Sequence, residues 1–90
     1  TKMRLKENLT LRKIADEYIA ILTVDGVADY TQAVALNETA AYLLQETLTN
    51  EFSAEDWVKL LTDRYEISEE QASQDIDKLL KDLREIGIIA

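Results

Sequence analysis

The amino-acid sequence predicts an α+β domain in which a three-stranded antiparallel meander is followed by three helices. Three observations carry this. The run Glu17–Val24 (EYIAILTV) is β-branched and aliphatic on both faces, as a central strand is, and it ends on Asp25-Gly26. That dipeptide is a strong two-residue hairpin signal, because a type I′ turn needs φ > 0 at both central residues. Further on, Asn37, Ser53 and Ser68 each stand just before an apolar stripe at helical spacing. Ninety residues, 47% of them hydrophobic, fit a single domain over residues 1–90 that can bury a modest core.

The elements follow in order. Residues 1–8 read as a solvated, flexible arm. Leu9–Ile14 is the first strand, and Ala15-Asp16 is a tight connection into the second, Glu17–Val24. The third strand runs from Val27 to Leu36. Alternation points Tyr30, Val34 and Leu36 inward and Asp29, Thr31, Ala33 and Ala35 the other way, the pattern of an edge strand with one covered face. Asn37 caps a helix over Glu38 to about Leu48, with Ala40, Ala41, Leu44 and Leu48 as its stripe. Ser53-Ala54-Glu55-Asp56 opens the second helix, in which Trp57 anchors the core. Ser68-Glu69-Glu70-Gln71 has the form of a capping box for the third, whose stripe is Ala72, Ile76, Leu79, Leu80, Leu83 and Ile86. Gly87 is placed to end that helix in a left-handed conformation, and Ile88 and Ile89 fold back on the body. A three-stranded meander is not stable alone, so its apolar face packs on the helices.

Composition excludes several function classes. The chain has no His and no Cys, so neither a Ser-His-Asp nor a Cys-His nucleophile can be assembled, and a zinc site would have to be all-carboxylate. With the acids spread along the helices, no enzyme, cofactor or metal is expected. The formal net charge of -8 opposes nucleic-acid binding, which works by neutralising phosphates. The cations Lys2, Arg4, Lys6, Arg12 and Lys13 gather at the amino end against Glu7 alone. A DNA-reading helix needs Arg, Lys, Asn or Gln towards the bases, whereas the third helix is net negative, with Glu69, Glu70, Asp75, Asp77, Asp82 and Glu85 against Lys78, Lys81 and Arg84. No Asp-Ser-Leu tripeptide is present to hold a phosphopantetheine arm. No apolar run approaches the roughly 18 residues of a membrane span, and a cytoplasmic location is expected.

The strand–Leu36-Asn37-Glu38-Thr39-Ala40–helix junction is the most informative segment. With the acidic helix ending at Tyr65 and the closing Leu83-Arg84-Glu85-Ile86-Gly87-Ile88-Ile89, it resembles the PqqD-like family, the RiPP recognition elements. Leu43-Leu44 and Thr49-Asn50 stand where many relatives have an aromatic residue and a Gly. The resemblance implies a winged-helix-like, non-catalytic peptide chaperone. Its partner, the leader of a ribosomally made precursor peptide, adds a strand to the third strand and lies against the third helix. A maturation enzyme, in this family commonly a radical-SAM protein, then receives the peptide. Such an edge offers unpaired backbone groups for β-augmentation. On that reading the peptide-binding residues are Asp29, Thr31, Ala33 and Ala35 on the strand, where the small side chains of Thr31, Ala33 and Ala35 leave room for a partner's larger ones. On the third helix they are Ala72, Asp75, Ile76, Leu79, Leu80 and Leu83. Asp75 or Asp82 at the rim would select Lys or Arg. A general adaptor for a folded partner is the alternative, and the open edge fits a monomer or a weak homodimer.

Overall fold

The computed structural model describes residues 2–28, 30 and 33–90. Among the described residues four strands precede three helices: β1 Leu9–Ile14, β2 Glu17–Val24, β3 Val27–Ala28, β4 Val34–Leu36, α1 Glu38–Glu46, α2 Ala54–Arg64 and α3 Glu69–Glu85. The class is α+β, antiparallel strands followed by helices.

β2 is the centre of the sheet. β1 pairs along one side of it from Leu9↔Leu22 to Ile14↔Glu17, which leaves Ala15-Asp16 as the turn, with Ala15 at φ 55°. On the other side Val24 pairs with Val27 across Asp25 (φ 52°) and Gly26 (φ 79°), the two positive angles that a type I′ hairpin requires.

The third strand departs from expectation. Thr23 pairs with Ala28 and Ala20 with Val34, so β2 advances three residues while its partner takes six. The surplus of three residues breaks the expected strand 27–36 into β3 and β4. An odd surplus also inverts the alternation carried across it. Tyr30 is therefore 58% exposed, not inward as predicted, and its carbonyl accepts from the Ala33 N–H at 3.4 Å in a turn. Within β4 the alternation resumes: Val34 and Leu36 are half-buried and Ala35 is exposed.

Asn37 caps α1, its Oδ1 accepting from the Ala40 N–H at 2.7 Å. The helix stops at Glu46, before the predicted Leu48. The Thr47 hydroxyl turns back to the Leu43 carbonyl at 2.8 Å and accepts from Trp57 Nε1 at 3.1 Å. α2 starts on a full capping box, with Asp56 N–H donating to Ser53 Oγ and Ser53 N–H to Asp56 Oδ2. α3 has only half of one. Ser68 Oγ accepts from the Gln71 N–H, but the Gln71 side chain bonds Asp75 Oδ1 instead of reaching back. Gly87 at φ 79° ends α3, with Ile88 N–H reaching the Leu83 carbonyl and Gly87 N–H that of Arg84, a Schellman arrangement. Ile86, expected in the stripe, is 38% exposed because the helix turns off at that point.

Trp57 and Phe52, both fully buried, stack at 4.4 Å in the core, with Leu43, Leu44, Leu61, Ile76 and Leu83 around them. The opening residues are tied into the body. Met3 bridges to Phe52, Leu5 bridges to Ile89 and is 4% exposed, and Lys6 N–H donates to the Ile88 carbonyl.

Candidate functional site

The sheet has two outer edges, and they differ. Among the described residues β1 pairs only with β2, and its exposed Arg12 and Lys13 are charges of the kind that blunt an edge against further pairing. β4, Val-Ala-Leu, also pairs only with β2 among the described residues and carries no charge. It leads through Asn37 directly into α1.

Beside that junction lies a cavity of about 380 Å³ between the first turn of α1 and the middle of α3. Its floor is apolar, formed by Ala40, Leu43, Leu61 and Ile76, with Leu79 at the wall. Asn37 and Thr39 supply polar groups on the α1 side, and Asp75, Lys78 and Asp82 on the α3 side. Asp75, Lys78, Leu79 and Asp82 fall at i, i+3, i+4 and i+7, which places them on one face of the helix. A second, wider depression, about 580 Å³, meets the first at Asn37. Ala35, Leu36, Tyr18 and Glu38 line it along the end of β4, with Lys13, Asp16 and Glu17 opposite. The carboxylates around the two openings are Asp16, Glu17, Glu38, Asp75 and Asp82, against Lys13 and Lys78. The close ion pairs among the described residues, Lys2–Asp56 at 3.2 Å and Arg4–Glu51 at 3.6 Å, lie elsewhere.

The structure distributes the sequence-predicted residues unevenly. Asp29 and Thr31 lie outside the described residues. Ala33 is half-buried just before β4, and Ala35 faces the wider depression. Asp75, Ile76 and Leu79 come together at the cavity, Ile76 as floor at 1% exposure. Ala72, Leu80 and Leu83 sit in the core, at 0%, 4% and 1% exposure, and do not line it. The α1 contribution, Asn37, Thr39, Ala40 and Leu43, was not foreseen. Its signal was the capped first turn of a helix following an edge strand directly, a geometry that brings that turn beside the end of the strand.

Among the described residues no cluster of three or more potential metal ligands occurs, and no helix is long and apolar enough to cross a membrane.

The family model described as "Coenzyme PQQ synthesis protein D (PqqD)" matches residues 19–89. The chain is also similar to a solved structure, "Lasso peptide synthetase B1 complexed with the leader peptide", at 26% identity and a TM-score of 0.72. That alignment covers 98% of this chain and 96% of the other. A search of the curated proteins finds no match.

Proposed function

Because the chain belongs to the PqqD family, we propose that it binds the leader segment of a ribosomally synthesised precursor peptide and presents it to a maturation enzyme. The leader adds as a strand along β4, with side chains entering the cavity between α1 and α3. One observation carries this reading: the uncharged outer edge of the sheet leads straight to an apolar-floored opening. Backbone pairing supplies attraction without demanding a sequence, and the cavity supplies selectivity. The similar lasso peptide synthetase B1 structure holds a leader peptide, which supports the same use of this fold.

On this reading the domain makes and breaks no bonds. It raises the effective concentration of the leader near the enzyme and fixes its orientation. A titration of the ¹⁵N-labelled chain with synthetic peptides encoded beside its gene tests the proposal. Shifts concentrated on Val34–Leu36, Asp75 and Leu79 are expected. Saturating shifts confined to α2 or to the basic amino end would overturn it.

A further inference from the structure

We infer that the segment bound at this groove is cationic, with Lys or Arg on either side of an apolar anchor. This rests on the reading that β4 and the adjoining cavity hold an extended peptide, and it names the class of peptide they take.

The argument is one of charge complementarity around an apolar floor. Ala40, Leu43, Leu61 and Ile76 leave the bottom of the cavity with nothing to offer a charge, so an aliphatic or aromatic side chain fits there. Asp75 and Asp82 stand at its mouth seven residues apart on α3, about 10.5 Å along the axis. An extended peptide advances about 3.3 Å per residue, so cations two to four positions apart bracket that separation. The long stems of Lys and Arg take up the remainder.

Among the described residues neither carboxylate is neutralised by an ion pair. Lys78 is placed at i+3 from Asp75 and i−4 from Asp82, yet it forms no close ion pair with either. In the second case the Lys precedes the acid, which is the weaker orientation. Asp75 accepts from the neutral amide of Gln71 at 2.9 Å. The neighbouring depression adds Asp16, Glu17 and Glu38 against Lys13, so the two openings together present five carboxylates and two ammonium groups. β4 contributes no charge of either sign. A peptide arriving along it therefore meets a net negative field, which favours cationic segments and repels acidic ones.

Selection from a displayed library of random ten-residue peptides on the intact chain tests this. Selected peptides should be enriched in Lys or Arg pairs about two to four positions apart with an apolar residue between them. The best of them, as a synthetic peptide, should shift Val34–Leu36. It should bind about three- to tenfold more weakly to Asp75→Asn/Asp82→Asn, and similarly more weakly on raising salt from about 0.05 to 0.5 M. Glu46→Gln/Asp63→Asn removes the same net charge away from the groove and should leave binding within about twofold. Selected peptides that shift Val34–Leu36 but show no enrichment in Lys or Arg, or are indifferent to the Asp75/Asp82 variant, would overturn the cationic preference while leaving the groove in place. Failure to select any peptide, or binders that leave Val34–Leu36 unshifted, would overturn the groove reading itself.

Discussion

Thr47 shows how a single side chain can hold two elements. Its hydroxyl donates to the Leu43 carbonyl and accepts from the indole N–H of Trp57, inside a core where both residues are buried. A lone Trp is legible as a core anchor from sequence. Its acceptor is not, because the pairing spans ten residues and depends on α1 ending at Glu46. Thr47→Val keeps the shape but leaves the indole N–H without a partner. It should cost about 1–3 kcal/mol in urea denaturation, while Thr47→Ser, which retains the acceptor, should cost less. A larger loss for Thr47→Ser than for Thr47→Val would show that methyl packing, not the hydrogen bond, dominates. Tyr30 teaches the opposite lesson. Period-two alternation placed it inward, but a three-residue surplus that no local propensity signals turned it out to solvent.

At the scale of elements, the helix starts were legible because each cap is a local interaction between residues three apart. Asn37, Ser53 and Ser68 all accept the hydrogen bond expected of them. What adjacency could not reveal is which helix closes a reciprocal box. Gln71 has the right spacing but turns to Asp75, whereas Asp56 returns to Ser53. The Ser53 backbone N–H, with Lys2 beside it, holds the Asp56 carboxyl below its ordinary pKa. A carboxylate whose folded pKa is depressed contributes stability that is fully present above its unfolded pKa and is lost as pH falls through the folded value. Stability should therefore fall as the medium is acidified below the usual aspartate range. Asp56→Asn should flatten part of that fall in urea titrations at successive pH values, at the expense of stability near neutrality. An unchanged acid limb in the variant would mean that Asp56 carries none of it. Of the residues expected on α3, Asp75, Ile76 and Leu79 line the cavity while Ala72, Leu80 and Leu83 go to the core, because spacing alone does not say which part of an apolar stripe is covered. The strand side was not, since the break between β3 and β4 is set by pairing to β2 and not by the residues within it.

Across the whole molecule, the two ends of the chain close the fold on each other. Sequence composition suggests a solvated arm for residues 1–8, since cations dominate there and only Met3 and Leu5 are apolar. Those two are the residues that pair: Met3 with Phe52 at the entry to α2, and Leu5 with Ile89 beyond the end of α3. Ala90 N–H adds a bond to the Arg4 carbonyl at 2.8 Å, and Arg4 reaches the Thr49 carbonyl from its guanidinium. Such contacts join residues from half to nearly the whole sequence apart, which is why local patterns do not announce them. They make a sharp forecast. In an arm, Leu5→Ala and Lys6→Ala would both be neutral. With Leu5 at 4% exposure against the core cluster, Leu5→Ala should cost about 2–4 kcal/mol in denaturant unfolding, as a buried Leu does. Lys6→Ala, whose backbone bond to Ile88 survives, should stay within about 0.5–1 kcal/mol of the parent. Because Phe52 is both Met3's partner and the ring stacked on Trp57, the Leu5→Ala loss should register as a single transition when followed by Trp57 fluorescence and by far-ultraviolet circular dichroism. Two separated transitions would instead mean that the amino-terminal segment melts independently, leaving the β4 groove and the helices standing without it.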